Sequence, residues 1–322
     1  MRAAVLRACG TPPEHGDVEL PARADGVALV AVTAAPITPL DVLCATGTSY
    51  FGAPATPYVP GVQGVGTVVA SDAHAPGTRV WFPTDAGMAP GDGSMAERTA
   101  AAEADLVPLA DDVQDVPFAA LGLSGVAAWM ILTWRARMQR DEQVLVLGAG
   151  GAVGQAAVGA AKLLGARRVV AVARSEAARQ RAAAAGADHV LPLEADADAM
   201  TRALHDACPD GADVVVDPVF GTAATAAARV LALGGRLVNL GGASGDVAEF
   251  SSAVLRSRSA EVLGYTNNAL TAEQRRAAVT EVAGALAAGR LAVAHERVPF
   301  EAVSEAWRRQ VSDPGIRLVL TP

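Results

Sequence analysis

The run Val144-Leu-Val-Leu-Gly148-Ala-Gly150-Gly151-Ala-Val-Gly154 constrains this chain more than any other feature. An aliphatic segment over Gln143–Leu147 predicts a buried strand, and Ala152–Leu164, closed by Gly165, predicts an Ala-rich helix. Arg168–Ala173 then predicts a second strand about twenty residues beyond the first. Strand, glycine turn, helix and strand in this order form a dinucleotide-binding unit. Glycines let the backbone approach a pyrophosphate closely, and the free amides at Ala152 and Val153 face its charge from the positive end of the helix dipole. The spacing is Gly148-x-x-Gly151-x-x-Gly154 with Gly150 as an extra, which departs from G-x-G-x-x-G and changes which glycine lies over the phosphates. The competing reading is a tight strand-to-helix turn with no ligand. The context of a strand on each side of the helix weighs against it.

The end of the second strand reads Val170-Ala-Val-Ala-Arg174-Ser175. An acidic residue there suits the free ribose 2′-hydroxyl of NAD, whereas arginine suits a 2′-phosphate. Arg174 offers paired donors and Ser175 a hydroxyl, and Arg179 adds charge one turn into the next helix. NADPH is therefore expected over NADH, the alternative being a solvated surface arginine at 174.

Around this unit the chain has two textures. Residues 1 to about 115 are rich in Gly, Pro, Thr and Val, with strands expected at Val27–Thr33, Gly64–Ala70 and Arg79–Phe82. From 117 onward, helices and strands alternate. Phe118–Arg137 is expected to be helical in its second half, Glu176–Ala185 and Thr222–Leu233 are expected helices, and Asp213–Asp217, Arg236–Leu240 and Glu261–Gly264 are expected strands. The tail predicts helices at Thr271–Ala288 and Val298–Val311 and a closing strand at Arg317–Leu320. The fold class is α/β, with a β-rich domain over 1–116, a doubly wound parallel sheet over 117–265, and a C-terminal segment, 266–322, that packs back on the first domain.

Composition narrows the function. Hydrophobic residues make up 51% of 322, enough for two cores. The net charge of −8 and the absence of a basic run argue against nucleic acid or an acidic membrane surface. No apolar run reaches the length of a membrane span, and the first residues lack an apolar leader, so a cytoplasmic protein is expected. Cys9, Cys44 and Cys208 form no CxxC pair, and the histidines show no metal-binding spacing.

Six stretches carry a family resemblance. They are Pro57-Tyr-Val-Pro-Gly61-Val-Gln-Gly64-Val-Gly66, Gly91-Asp-Gly-Ser-Met-Ala-Glu97, Leu121-Gly-Leu-Ser-Gly-Val-Ala-Ala128, the glycine turn, Asp213–Pro218 and Gly234-Gly-Arg-Leu-Val-Asn-Leu-Gly241. Together they resemble the medium-chain dehydrogenase/reductase superfamily, in its zinc-free quinone oxidoreductase-like branch, over essentially the whole chain. The resemblance implies a GroES-like domain before the Rossmann domain and a homodimer joined through sheet edges at Glu261–Tyr265. Zinc-dependent members carry a Cys within the segment that here reads Pro36–Asp41, His-Glu where this chain has Val62-Gln63, and a Cys near Leu121; none is present, so no metal is expected. Hydride transfer from the nicotinamide to a quinone, enone or enoyl acceptor then fits best.

On the catalytic side, the branch's Asn-Pro-x-Asp-x-Tyr pattern appears as Thr38-Pro-Leu-Asp41-Val-Leu43, followed by Ser49-Tyr50, so its usual tyrosines are displaced. Tyr50 is the candidate donor to a substrate carbonyl. Gln63 is a neutral donor in place of a zinc-site Glu. Asp41 is either a site carboxylate or the anchor of its loop. On the cofactor side the resemblance implies Ser124, Gly148, Gly151, Ala152, Val153, Gly154, Pro218, Val219, Leu240, Gly241, Tyr265, Asn267 and Arg317. Two alternatives stay open: a carbonyl or imine reductase in a biosynthetic pathway, and a non-catalytic NADPH-binding redox sensor.

Overall fold

A computed structural model describes residues 1–312 and 315–322. The chain forms two compact units. The first comprises Met1–Gly122, Ala272–Ala287 and Ala294–Pro322, and the second comprises Leu123–Thr271 and Ala288–Val293.

In the first unit, β1 (Arg2–Val5) pairs antiparallel with β2 (Glu14–Asp17). The longest strand, β3 (Val27–Pro36), alternates buried and half-buried positions because it covers a core on one face. It pairs antiparallel with β4 (Gln63–Ala70), which pairs with β5 (Arg79–Pro83). Along its first half β3 also takes β6 (Arg98–Ala102), and β5 takes the short β7 (Val107–Pro108). The three strands expected here are present. A short helix, α1 (Pro39–Ala45), opens with a capping box between Thr38 and Asp41 and with proline in its first turn.

The apolar stretch expected to be helical in its second half is helical in both halves, as α2 (Asp115–Met130), two helical segments joined at a kink and continued by a π-helical turn at Ile131–Arg135. The backbone breaks at Gly122, next to the division between the units. Contrary to the sequence expectation, the 21-residue helix Asp115–Arg135 is long and apolar enough to cross a membrane. Its apolarity has another cause, since 72% of its most apolar window is buried inside the protein.

The second unit is a six-stranded parallel sheet. Its strands are β8 (Gln143–Val146), β9 (Arg168–Ala173), β10 (His189–Pro192), β11 (Ala212–Asp217), β12 (Leu231–Asn239) and β13 (Glu261–Gly264), in the order β10-β9-β8-β11-β12-β13. The connecting helices are α3 (Ala152–Leu163), α4 (Glu176–Ala184), α5 (Ala197–Ala207), α6 (Gly221–Arg229) and α7 (Ser252–Arg258). The strand order reverses between β8 and β11, which places the switch-point crevice at the carboxyl ends of those two strands. Leu145, Val170, Val215 and Leu237 from four strands, Leu147 just after β8, and Met200 and Leu204 from α5 are fully buried in one core. The helix expected over Thr222–Leu233 stops at Arg229. Leu231 instead pairs with Ala212 across a register shift, so sheet pairing overrides the helix propensity of the alanine run.

The chain then returns to the first unit as α8 (Ala272–Ala287), β14 (His295–Pro299), α9 (Val303–Ser312) and β15 (Arg317–Thr321). The expected helix from Val298 starts late because Val298 and Pro299 belong to β14 and a 3-10 turn fills Phe300–Ala302. β15 lies parallel to β14 and antiparallel to the end of β3, with Val319 opposite Pro36. Trp307, Phe300, Leu318 and Leu320 complete a core with Val30, Val80, Phe82 and Met95.

Candidate functional site

The glycine turn separates into positions the protein needs and one it does not. Gly148 sits at φ +59, and a Cβ there would lie 2.6 Å from Val219 Cγ1. A Cβ on Gly150 would meet Ala178 Cβ of α4 at 2.4 Å, and one on Gly154 would meet the Gly148 carbonyl oxygen at 2.4 Å. These three glycines let β8, α3, α4 and the Pro218–Val219 loop pack. Gly151 differs. A Cβ there would make only an ordinary 3.5 Å contact with Gly148 O. Its extended backbone (φ −80, ψ 168) suits any residue.

Gly151 is also the N-cap of α3, and no side chain caps that helix, whereas Ser175, Asp196 and Ser251 cap α4, α5 and α7. An uncapped helix start at a switch point presents orphan amides to an anion. The absence of a side chain at 151 leaves the approach open, and this opening is what a dinucleotide pyrophosphate requires. Ala152, Val153 and Gly154 form the first turn, with Gly151 and Val153 half-buried. Two residues that the sequence reading missed hold the turn in shape: Arg181 Nε and Gln155 Nε2 both donate to the Gly150 carbonyl, at 3.0 and 2.9 Å. Their only signal was polarity on otherwise Ala-rich helices.

At the end of β9, Arg174 is exposed, and its guanidinium has no partner among the described residues. Ser175 and Arg179 also hold α4 in place. Ser175 Oγ accepts from Ala178 N at 3.2 Å as the cap of α4. Arg179 is committed to the Glu176 carboxylate at 2.5 Å and to the Arg174 carbonyl at 3.1 Å. Of the three groups expected around a 2′-phosphate, the Arg174 guanidinium is the one with no partner among the described residues.

On the other side of the switch point, Asp217 ends β11 fully buried. Its Oδ1 accepts from the Val219 and Phe220 amides at 3.0 and 2.8 Å, and its Oδ2 from Asn239 Nδ2 at 3.2 Å. Asn239, at the end of β12, also donates to the Gly241 carbonyl at 2.7 Å, and Leu240 N donates to Asp217 O at 3.0 Å. The expected residues Pro218, Val219, Leu240 and Gly241 are thus brought together by a pair that the sequence reading did not single out. Burial pushes the Asp217 pKa up, and the donors around it oppose that shift.

Tyr265, expected to reach the cofactor or substrate directly, is buried and packs edge-on against Trp134 at 6.3 Å. Its hydroxyl donates to Asn267 Oδ1 at 2.6 Å, and Asn267 Nδ2 donates to the Leu123 carbonyl at 3.2 Å. Tyr265 and Asn267 therefore brace the backbone beside the buried Ser124.

In the first unit the catalytic candidates fare unevenly. Asp41 is a loop anchor. Its Oδ2 accepts from Thr38 N and Oγ1 at 2.7 and 2.6 Å, and its Oδ1 from the Gly61 and Val62 amides at 3.0 and 2.8 Å. With both oxygens engaged and the group 2% exposed, it is not a site carboxylate. Arg317 is likewise not a cofactor contact. It is buried, donates to the Ile37 carbonyl at 2.7 Å, and offsets the charge of Asp41; burial brings its pKa down to about 10. Gln63 is buried, and its Oε1 accepts from Trp81 Nε1 at 2.9 Å. Tyr50 is 79% exposed and stacks on Phe51 at 4.2 Å between ring centres. Tyr58 is buried beside Cys44 and Gly87, as a structural aromatic would be.

Residues 24–111 match the alcohol dehydrogenase GroES-like domain, and residues 152–284 match the zinc-binding dehydrogenase domain. The chain is 30% identical over 234 residues to a quinone oxidoreductase of Rattus norvegicus, spanning 70% of this chain and 68% of that one. This chain belongs to the medium-chain dehydrogenase/reductase superfamily, in its quinone oxidoreductase-like branch. A mycobacterial protein of that fold, solved in complex with NADPH, superposes with a TM-score of 0.87 at 25% identity over all of both chains. The chain is also 37% identical over 140 residues to a mycocerosic acid synthase-like polyketide synthase of Mycolicibacterium smegmatis, a match spanning 43% of this chain and only 6% of the synthase. The medium-chain dehydrogenase/reductase frame gives the observed arrangement its order: a GroES-like first unit, a Rossmann second unit, and a C-terminal segment that rejoins the first.

Proposed function

We propose that this protein is an NADPH-dependent oxidoreductase that reduces an activated double bond (a quinone, enone or enoyl group) without zinc. The uncapped start of α3, left open at Gly151, is the observation that carries the reading. When bound there, the dinucleotide supplies a hydride. The amides of Ala152, Val153 and Gly154 hold the pyrophosphate, and the unpartnered Arg174 guanidinium takes the 2′-phosphate. Tyr265 and Asn267 hold the Leu123–Ser124 backbone, and the Asp217–Asn239 pair holds the loops at the ends of β11 and β12. The exposed Tyr50 hydroxyl is assigned as the donor to the substrate carbonyl. Val62 and Gln63 at the position of the zinc-dependent members' His-Glu support chemistry without zinc.

We further propose a cytoplasmic homodimer joined through β13, the edge of its sheet, where Val262 is 37% exposed. The deciding experiment mixes the protein with NADPH or NADH and a panel of quinones, enals and imines and follows nicotinamide absorbance. Turnover of quinones or enals with NADPH is expected. Tight NADPH binding with no turnover of any substrate would refute the enzyme. Arg174→Ala is expected to weaken NADPH about tenfold or more, as the loss of one bidentate charged contact implies, and to leave NADH unchanged. Equal losses for both would remove Arg174 from the 2′-phosphate site.

A further inference from the structure

Arg181 lies on the face of α4 that packs against the glycine turn. Ala178, three residues before it, lies on the same face: a Cβ on Gly150 would meet Ala178 Cβ at 2.4 Å, and Arg181 Nε donates to the Gly150 carbonyl at 3.0 Å. The Arg181 side chain is half-buried, yet among the described residues no carboxylate pairs with it. Other arginines of the second unit have such a partner: Arg179 pairs with Glu176, Arg229 with Asp198 and Arg236 with Glu142. Holding the turn does not by itself call for a charge, because the neutral Gln155 Nε2 donates to the same carbonyl at 2.9 Å. A half-buried guanidinium set against a neutral carbonyl gives up hydration without gaining a counter-charge. The peptide that carries this carbonyl leads directly into Gly151, the uncapped start of α3. The guanidinium therefore stands within a Debye length, about 8 Å in physiological salt, of the Ala152 amide that opens the cradle.

We propose that Arg181 supplies the counter-charge of the pyrophosphate cradle, acting through space on the cofactor's diphosphate across the Gly150–Gly151 peptide. This inference rests on the dinucleotide reading above and divides the work between two arginines. Arg174 acts on the 2′-phosphate and so separates NADPH from NADH. Arg181 acts on the diphosphate that both cofactors share, so it raises affinity for both without selecting between them. The amides of the first turn of α3 give the anion its place and direction, and the guanidinium adds the full positive charge that a helix terminus lacks.

The test titrates the full chain with NADPH and with NADH by fluorescence, at low and at high salt. Arg181→Met keeps an apolar stem and leaves the Gly150 carbonyl with Gln155. At low salt it is expected to weaken both cofactors by the same factor, about three- to tenfold, the scale of one partly screened charge acting on a diphosphate. The deficit is expected to shrink at high salt, and Arg181→Lys to restore most of the affinity. Gln155→Met, which removes the neutral donor to the same oxygen, is expected to leave the salt dependence as in the parent. Should Arg181→Met not fold, Arg181→Gln removes the same charge. Unchanged affinity in the charge-removing variant overturns the proposal, and so does a loss confined to NADPH, which would assign Arg181 to the 2′-phosphate. A loss of equal size at both salt concentrations makes Arg181 a structural brace only and also overturns it. Each of these results leaves the dinucleotide site standing, whereas failure of the unaltered protein to bind either cofactor overturns both readings.

Discussion

Gly151→Ala separates ligand binding from folding at this site. A methyl group at 151 meets only Gly148 O, at an ordinary 3.5 Å, and the backbone there already has an alanine-compatible conformation. Its structural cost is the loss of glycine at an N-cap, about 0.5–1 kcal/mol, or a fall in Tm of roughly 1–4 °C. Gly154→Ala is the contrasting case. Its methyl would lie 2.4 Å from Gly148 O and 2.5 Å from Ala149 Cα, both rigid backbone atoms. Such overpacking costs about 1–3 kcal/mol or more, or roughly 2–12 °C. For NADPH the order reverses in specificity. A side chain at 151 stands where the phosphates approach, and losing one amide-to-phosphate hydrogen bond, worth about 1.5–3 kcal/mol, weakens binding roughly tenfold to a hundredfold. The assay pairs thermal unfolding of the free protein with NADPH titration of each variant. A Gly151→Ala protein that binds NADPH as tightly as the parent would refute the assignment of this turn as the pyrophosphate cradle.

Three further outcomes are expected. Glu142 and Arg236 form a two-armed ion pair at 2.8 and 2.9 Å with side chains 18% and 10% exposed. Glu142→Ala leaves the buried guanidinium without its carboxylate, held only by the Ala136 and Asp213 carbonyls, and costs about 3 kcal/mol in thermal or urea unfolding; an Arg236→Met/Glu142→Ala double variant that is no more stable than either single variant would contradict this account. Burial pushes both the Cys44 and Cys208 thiols up to about 11, with Asp41 adding to the effect at Cys44, while Cys9 is exposed; a thiol reagent at pH 8 should label one cysteine quickly and all three only in denaturant. Burial raises the Asp188 pKa, but the Lys162 ammonium at 2.8 Å and the Val169 amide at 2.7 Å outweigh it and hold it below the usual carboxylate range. Its stabilisation is therefore complete above that range and lost as pH falls through the lowered value, so Asp188→Asn should flatten the acid limb of a stability–pH profile and leave a parent-like acid limb only if the pairing contributes nothing.

The parts of this fold legible in the sequence are those written in one short segment. The glycine turn and β9 obey local rules, with aliphatic strand, positive-φ glycine and alanine helix in register, so Gly148 through Gly154 were identifiable without tertiary information. β10 escaped because His189–Pro192 has four residues and takes its strand character from pairing with β9. The end of α6 was overextended because the pairing of Leu231 with Ala212 is not visible in the alanine run itself. At the site, residue type pointed to chemistry while geometry assigned some residues to scaffolding. Asp41 and Arg317 are 276 positions apart in sequence, and their mutual compensation inside the first unit has no local signature. Asn239 and Asp217 were likewise legible only once β11 and β12 lay side by side.

The antiparallel contact between β15 and β3 has a temporal side. Arg317 reaches the Ile37 carbonyl across a sequence separation of 280 positions. A ribosome adding about 5–20 residues per second makes that partner available roughly 14–56 s after Ile37 emerges. During that interval the nascent first unit carries β3 with the end of its edge uncovered, while the segment Leu123–Thr271, which holds the whole sheet of the second unit, is completed before Arg317 is added. The dinucleotide unit is thus expected to mature first on the ribosome, and the N-terminal unit to wait for the last strand of the chain, with its open edge exposed to chaperones until that strand arrives.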